Sequence, residues 1–343
     1  MRQSFFFRTL RYFFIPFFVV FGIFAGIYSG ILLLSSGSNS FSLNEIKTTY
    51  TPEITVNANG VRKNFSENVP VILKLNISGV IGSDSLNRHT FQTQLLESRE
   101  GVFEKAVVKA LLLHINSPGG TVVDADGIYL AVKDYKEKYQ VPVFAYVDGL
   151  CASGGMYIAA AADKIYASDV SLIGSVGVVT PPIFNFSKTI EKLGAEALTL
   201  SAGIGKDNLN SFRPWKTDES TEYQKIIDHY YTHFVNIVAS SREGIGKEKL
   251  VNEYGAHVFS AKEAKECGFI DEASMNLSQT LDHLSQAADI NHYQVIELEK
   301  KNFFSELFAS SLLKGKIEHK LDVGVEMPSE IMNQFLYLYR PGL

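Results

Sequence analysis

The longest apolar segment of the chain divides it into two parts with different surroundings. Residues 13–34 carry no charged side chain, and this length is about what a helix needs to cross the core of a bilayer. Arg2, Arg8 and Arg11 precede the segment, and no acidic residue does. Because basic residues stay on the cytoplasmic side, we expect one transmembrane helix with residues 1–12 in the cytoplasm and the rest outside the cell (inner) membrane. A cleaved secretory signal is the alternative, but the segment exceeds the usual apolar length and no Ala-x-Ala site follows it.

Charge and cysteine content exclude several classes of function. Without the three N-terminal arginines the chain has 29 basic and 37 acidic residues, a net charge of −8, so nucleic acid is not an expected partner. Cys151 and Cys267 are too few for a disulfide framework, and their spacing is not that of metal ligands. Each cysteine is therefore predicted to be a small buried apolar residue. We therefore predict neither a metal nor a cofactor.

The exported part divides into three regions by composition. Residues 35–67 are rich in Ser, Asn and Thr without periodicity and are predicted to be a linker. Residues 68–273 form the predicted folded domain, and residues 274–343 a C-terminal extension. In that extension, apolar residues at helical spacing predict a stripe that packs on the domain or on a neighbouring subunit, with a membrane-surface helix as the less favoured alternative: Phe303, Phe304, Leu307, Phe308 and Leu312.

Within the predicted domain, apolar β-type runs alternate with helical patterns. Runs at 71–75, 110–115 and 142–147 predict strands, and Val122–Tyr139 predicts a helix between the last two. A long helix is predicted at 217–242, and a short one capped by Ser260 extends to Glu266. Such alternation is typical of an α/β fold with a largely parallel sheet.

Ser153 is the candidate nucleophile. It lies in a segment of small residues, just before Gly154 and Gly155 and an alanine-rich helical pattern. A serine at such a turn would place its hydroxyl beside the positive end of a helix. An ordinary N-cap serine occurs in the same position, so this segment alone leaves both interpretations open.

Gly119 and Gly120 are candidate oxyanion residues. They follow His114-Ile-Asn-Ser-Pro at the end of an apolar strand. Consecutive glycines at a strand-to-helix junction leave backbone N–H groups free to bind an oxyanion, which acyl transfer requires. The same residues could also serve merely as a turn.

The serine needs a base, and two residues are candidates. His114 precedes the glycine turn, but it lies within a predicted strand, where a packed histidine is the favoured interpretation. Lysine can replace histidine where burial disfavours its ammonium form. Lys206 follows two glycines in Ser201-Ala-Gly-Ile-Gly-Lys-Asp, although read alone it would be a solvated loop residue.

Together these segments resemble the signal peptide peptidase SppA family, also called protease IV, in its short single-domain form. The resemblance covers roughly residues 70–273 and rests on the order and spacing of six blocks: 115–120 (INSPGG), 152–157 (ASGGMY), 162–167 (ADKIYA), 173–178 (IGSVGV), 205–207 (GKD) and 264–271, which ends in GFID.

The resemblance implies roles for five residues. Ser153 matches the nucleophile and Lys206 the general base of a Ser-Lys dyad, and Gly119, Gly120 and Gly154 match the oxyanion hole. It further implies a Clp-protease-like or crotonase-like fold of repeated β-β-α turns. The implied substrates are hydrophobic peptides, namely signal-peptide remnants left after signal peptidase has acted. The implied assembly is a homo-oligomeric ring whose active site draws on adjacent chains.

Three other functions remain open at this point. A membrane-protein quality-control protease of the same family would act on longer substrates. A crotonase-type enzyme acting on coenzyme A thioesters shares the backbone oxyanion donors, but it does not need a membrane anchor or a Ser-Lys pair. A non-catalytic membrane scaffold would have no reason to retain Ser153 and Lys206.

Overall fold

The computed structural model describes Gly22, Gly26 and residues 49–62, 69–104, 108–301 and 336–338. The chain forms two compact units, Met1–Lys47 and Thr48–Leu343. In the first unit the two described glycines are helical. The predicted anchor at 13–34 otherwise lies outside the described residues, as does the apolar stripe at 303–312. Among the residues that are described, no helix combines the length and apolar character needed to cross a membrane.

The second unit is an α/β domain, as the alternating pattern predicted. Its strands are β1 (Tyr50–Thr55), β2 (Val71–Ser78), β3 (Val108–Ser117), β4 (Gly119–Thr121), β5 (Val143–Ala152), β6 (Lys164–Ala167), β7 (Leu172–Gly174), β8 (Val258–Ser260), β9 (Gln294–Lys300) and β10 (Leu336–Leu338). Its α-helices are α1 (Arg88–Glu97), α2 (Val122–Tyr139), α3 (Gly154–Ala159), α4 (Ser187–Lys192), α5 (Thr221–Ser241), α6 (Lys247–Lys249), α7 (Ala261–Glu266) and α8 (Leu277–Ala287), with short 3-10 and π turns at Gly101–Phe103 and Leu250–Tyr254.

Most strands form one mixed sheet in the order β1-β9-β2-β3-β5-β7-β8, with β6 also paired to β5. The inner pairings are parallel, whereas β1 and β8 pair antiparallel at the two edges. Helices cover both faces. Alternate residues of β3 therefore enter different cores: Leu111 and Leu113 pack with α2 and α3, and Leu112 packs with α8. This two-sided burial explains why β3 is continuously apolar.

Local signals set the helix ends. The hydroxyl of Thr121 accepts the N–H of Asp124 at the start of α2, and Gln140 ends that helix in a left-handed conformation. Ser260 and Glu263 form a reciprocal capping box at the start of α7, so the predicted cap is present.

The sheet extends beyond both predicted domain boundaries. The region predicted as a linker, 35–67, contains β1, which pairs with β9. Strand β9 and helix α8 lie after the predicted end at residue 273, yet β9 pairs with β2 inside the sheet. The structure places the domain boundaries outside the predicted ones. Local composition gave no sign of this, because β1 is short and contains Pro52 and Glu53, and β9 has glutamates at the alternate positions 297 and 299. Those side chains lie on edge-proximal strands, where one face stays accessible.

Candidate active site

Ser153 occupies a strained turn between β5 and α3. Its φ of 53° and ψ of −115° lie in a region that residues other than glycine rarely adopt. Such a conformation costs ~1–3 kcal/mol and persists only where neighbouring contacts enforce it. Here the Ser153 N–H donates to the carbonyl oxygen of Gly174 at 2.9 Å, and the Ser153 carbonyl accepts the N–H of Tyr157 at 2.9 Å. Both backbone bonds hold the turn in place.

The hydroxyl of Ser153 does not cap α3. The residue is 1% exposed, and its side chain forms no capping hydrogen bond. No other hydrogen bond to this hydroxyl occurs among the described residues. A buried serine whose hydroxyl satisfies nothing in the fold is not explained by helix capping, so the structure favours the nucleophile interpretation of this turn.

The two glycines after Ser153 allow α3 to approach the Asn-Ser-Pro-Gly-Gly turn. A Cβ on Gly154 would lie 3.2 Å from the Cα of Gly119 and 3.2 Å from the backbone nitrogen of Gly120. A Cβ on Gly155 would lie 3.1 Å from the carbonyl oxygen of Ser117. The structure thus brings Ser153 and both predicted oxyanion segments together within one chain.

The three predicted oxyanion glycines differ in how their N–H groups are used. Gly119 donates to Ser117 Oγ at 3.1 Å, and that hydroxyl donates to the carbonyl oxygen of Gly79 at 2.7 Å. Gly154 begins α3, and a first-turn N–H has no acceptor within its own helix. Gly120 must be glycine, since a Cβ there would come within 1.8 Å of the Ile81 carbonyl oxygen. In this conformation the N–H of Gly119 is already bonded within the chain, and Gly120 pairs with Tyr337 of β10. The N–H of Gly154 has no acceptor within α3.

Lys206 lies apart from this turn, in a segment that we call the arm, residues 179–220. Its side chain is exposed, and within the described residues it makes no hydrogen bond or ion pair, with Ser153 or with any other group. The adjoining Asp207 is held by Arg213, whose Nε donates to Asp207 Oδ2 at 2.5 Å. Hydrogen bonds from Asn210 and Arg213 lower the pKa of Asp207. The loop around Lys206 is therefore ordered by its own ion pair, while the lysine has no partner in the described part of the same chain.

The arm exposes an unusual amount of apolar surface. Its helix α4 has no buried residue. Ile204, two residues before Lys206, is fully exposed, and Leu198 and Leu200 are 85% and 87% exposed. Other large apolar side chains are exposed along the same segment: Val179, Ile183, Phe184, Phe186, Leu193, Phe212 and Trp215. Surface of this kind on a folded domain marks an interaction site.

His114 is not positioned as the base for Ser153. Its neighbours in β3, Leu113 and Ile115, pack on the face that carries α3. His114 lies on the opposite face, stacked on Tyr146 at 5.6 Å between ring centroids. Burial lowers its pKa, with a further lowering from Lys74. The packed-histidine interpretation is therefore the correct one.

Cys151, two residues before Ser153, is an inert core residue. It is fully buried among the apolar side chains beneath the sheet. Burial raises the pKa of its thiol to about 12, so at neutral pH it carries a proton and is a poor nucleophile.

Sequence reasoning missed two groups at the site. The first is a polar contact that anchors α3: Tyr157 donates its hydroxyl proton to Asp126 Oδ1 at 2.6 Å, and His233 Nε2 lies 3.6 Å from the same oxygen. The second is β10, which pairs with β4, the strand that contains the candidate oxyanion residues Gly119 and Gly120. Asp126 and Tyr157 are 31 residues apart in sequence, and no local pattern links them.

In the described ranges, no cluster of three or more His, Cys, Asp or Glu residues could hold a metal ion.

Comparison with known proteins identifies the family. The model of peptidase family S49 matches residues 135–291, and the Clp protease model matches residues 85–173. A protein of Enterococcus faecium that carries the name signal peptide peptidase SppA is 31% identical to this chain over 255 residues. The matched residues make up 72% of this chain and 71% of that protein. The chain belongs to peptidase family S49.

Other S49 relatives cover smaller parts of longer proteins. The chloroplastic serine protease SPPA of Arabidopsis thaliana is 34% identical over 198 residues, 57% of this chain and 28% of that protein. Protease 4 of Haemophilus influenzae is 31% identical over 166 residues, 48% of this chain and 26% of that protein. Together with the two family models, these relatives show that the S49 chain is a serine peptidase with a Clp-protease-like α/β fold.

Among solved structures, a mutant ClpP1 from Listeria monocytogenes is similar to this chain. It has a TM-score of 0.40 at 19% identity, covering 60% of this chain and 93% of that one.

Proposed function

We propose that this S49 peptidase cleaves apolar peptides through a Ser-Lys dyad in which Ser153 is the nucleophile and Lys206 of an adjacent chain is the base. The observation that carries the proposal is the position of Ser153, a buried residue held at a strained turn whose hydroxyl has no hydrogen-bond partner among the described residues. Maintaining such strain without a catalytic role would only lower stability.

The proposed chemistry follows from the groups around this turn. Ser153 Oγ attacks the carbonyl carbon of the scissile peptide, and the developing oxyanion accepts hydrogen bonds from the N–H groups of Gly120 and Gly154. The neutral amine of Lys206 accepts the serine proton and passes it to the leaving amine. Water then hydrolyses the acyl-enzyme and regenerates the serine hydroxyl. Gly119 supports this arrangement indirectly, because its N–H is bonded to Ser117 Oγ.

A base from a neighbouring chain is consistent with the position of Lys206. In one chain the Lys206 side chain is exposed and has no partner among the described residues, so a single chain does not provide the enclosed position that a lysine base needs. Docking of the apolar arm on a neighbour would bury the amine and disfavour its charged form. Head-to-tail contacts of this kind close into rings, in which every interface pairs one serine with the next chain's lysine.

The proposed substrates are apolar peptides at a membrane, and signal-peptide remnants are the favoured class. The apolar segment 13–34 would hold the domain on the extracytoplasmic face, where such peptides lie. Proteolytic quality control of membrane proteins by the same site is the second candidate, favoured by the same anchor.

Mixing two inactive variants tests the shared dyad. Ser153→Ala and Lys206→Ala subunits are co-assembled in equal amounts, and hydrolysis of a Leu/Ala-rich peptide is measured. If the dyad spans two chains, about a quarter of the interfaces retain both groups, and activity should return to roughly that fraction of wild type. If verified mixed rings remain inactive, the two groups act within one chain and the shared-site proposal fails.

Substrate class is tested separately by mass spectrometry of products. Membrane-extracted signal peptides and an unfolded soluble protein are incubated in parallel with wild type and with Ser153→Ala. We expect Ser153-dependent fragments from the signal peptides. Equally fast cleavage of charged, soluble peptides would remove the main support for signal-peptide disposal.

A further inference from the structure

Three charged side chains of the arm form a network directly after Lys206, which we call the ion network: Asp207, Arg213 and Glu219. Arg213 lies between the two carboxylates. Its Nε donates to Asp207 Oδ2 at 2.5 Å, and its Nη1 lies 2.7 Å from Glu219 Oε1. Its Nη2 also donates to the backbone carbonyl oxygen of Asp207. The guanidinium therefore holds both the side chain and the main chain of the residue that follows Lys206.

Further hydrogen bonds join the ion network to the loop backbone. Asn210 Nδ2 donates to Asp207 Oδ1 at 2.5 Å and to Thr199 Oγ1 at 3.0 Å. Glu219 Oε2 accepts the N–H of Leu209 at 3.1 Å. Leu209 has a left-handed φ of 57°, which a residue with a side chain adopts only where neighbouring contacts support it. All these bonds join residues of the arm, so the arm fixes this loop by itself.

Charge, rather than apolar packing, holds the loop. Ile204 is fully exposed, as are most of Leu198 and Leu200, so these side chains give the loop no apolar core. Glu219, by contrast, is only 4% exposed. A buried carboxylate is costly unless a cation and hydrogen-bond donors compensate it, and loss of one partner leaves an uncompensated charge. The ion network therefore favours one geometry of the loop over the alternatives.

We propose that the ion network positions the base: its three side chains fix the backbone from which Lys206 is presented to the serine of the adjacent chain. The proposal rests on the proposed function of Lys206. A lysine side chain is long and flexible, and a general base must come within hydrogen-bond distance of the proton that it accepts. A misplacement of about 1 Å can lower the rate by ~10²-fold, so a base supplied by another chain needs a fixed starting point.

Breaking the ion network tests the positioning role. Arg213→Gln removes the cation shared by both carboxylates, and in assembled rings it should lower kcat by about 10–100-fold with little change in KM, because the base takes no part in substrate binding. The control is Glu222→Gln, which breaks an exposed ion pair with Lys225, just beyond the arm, and should retain wild-type kcat. Peptide hydrolysis measures both constants, and sedimentation velocity verifies assembly.

Mixed rings show which half of the dyad Arg213 serves. Arg213→Gln subunits are co-assembled in equal amounts with Ser153→Ala subunits. Interfaces that join the intact serine of the first variant to the intact Lys206 loop of the second should return activity to roughly a quarter of wild type. Arg213→Gln mixed with Lys206→Ala should show no such recovery, because both changes affect the same half. A general folding defect would not be rescued in either mixture.

The outcomes separate this inference from the proposed function. Arg213→Lys keeps the positive charge but not the fork that bridges both carboxylates, and it replaces Arg213→Gln where that variant does not assemble. If assembled rings of the tested variant have wild-type kcat, or if Ser153→Ala subunits do not rescue it, the ion network is only structural and the inference is overturned. Recovery in the mixture of Ser153→Ala and Lys206→Ala would then still support the shared dyad. If that mixture stays inactive, the shared dyad is overturned, and this inference with it.

Discussion

The two halves of the proposed dyad lie in regions of opposite character. The turn around Ser153 is buried, closely packed and fixed by backbone hydrogen bonds to Gly174 and Tyr157. The arm around Lys206 is exposed and apolar, and the structure gives the lysine no partner among the described residues. Under the proposed function, one half of the site is formed in a single folded chain, and the other half requires a contact with a neighbouring chain. Folding and activation of this peptidase should therefore be separable.

Substitutions of two buried serines, Ser153 and Ser171, should separate an effect on activity from an effect on stability in the packed region around the turn. Ser153→Ala should lower kcat by on the order of 10⁴–10⁶-fold, because the nucleophile is lost, with little change in the free energy of unfolding. Ser171→Ala should instead lower the free energy of unfolding by ~1–3 kcal/mol, because Ser171 Oγ bonds Gly149 N–H and the Val147 carbonyl. Peptide hydrolysis and thermal denaturation measure the two effects. Substantial turnover by Ser153→Ala would remove that residue from the nucleophile role.

Replacing Lys206 tests the exposed half of the proposed dyad. Lys206→Arg retains the positive charge, but a guanidinium cannot be deprotonated at working pH, so kcat should fall by about 10²–10⁴-fold. Lys216→Arg is the matched control, since Lys216 is an exposed lysine in the same arm, and it should retain wild-type kcat. An active Lys206→Arg enzyme would show that this residue is not the base.

A charge in the apolar surface of the arm tests whether assembly completes the site. Ile204→Asp should weaken subunit association by about 10–100-fold, since burying an isoleucine contributes ~1.5–3 kcal/mol. Activity should fall at low protein concentration and recover at high concentration. Leu96→Asp is the control, because Leu96 is an exposed apolar residue on α1, outside the arm. Sedimentation velocity with parallel activity assays measures both. Unchanged association in Ile204→Asp would show that this surface serves another purpose.

The smallest effect is expected from alkylation of Cys151. Its absence would support Ser153, rather than this nearby thiol, as the nucleophile. With a pKa raised to about 12, the thiol is protonated below that pH, and only roughly one molecule in 10⁴ is ionised at pH 8. In a Cys267→Ser background, iodoacetamide should leave both Cys151 and peptide hydrolysis unchanged at that pH. Rapid alkylation of Cys151, followed by mass spectrometry, would contradict the buried position.

The same contrast explains what the sequence could and could not predict. Helix Val122–Tyr139 and the Ser260 cap were predicted correctly, because apolar periodicity and capping residues act locally. The convergence of Ser153 with Gly119 and Gly120 followed from the family resemblance and is present in the structure. The occupied N–H of Gly119 could not be predicted, since it depends on the rotamer of Ser117. Placement of β9 and β10 depends on pairings with residues far away in sequence, which no local pattern records.

The position of β9 also determines when the domain can become active during its synthesis. Strand β9 lies between β1 and β2, although its residues are made more than 200 positions after theirs. A nascent chain in which Ser153 has already been synthesised still has a gap in its central sheet, because long-range pairings form last and a chain emerges N-terminus first. The peptidase should therefore remain immature until nearly all of its domain has been synthesised, which protects the growing chain and its neighbours from premature cleavage.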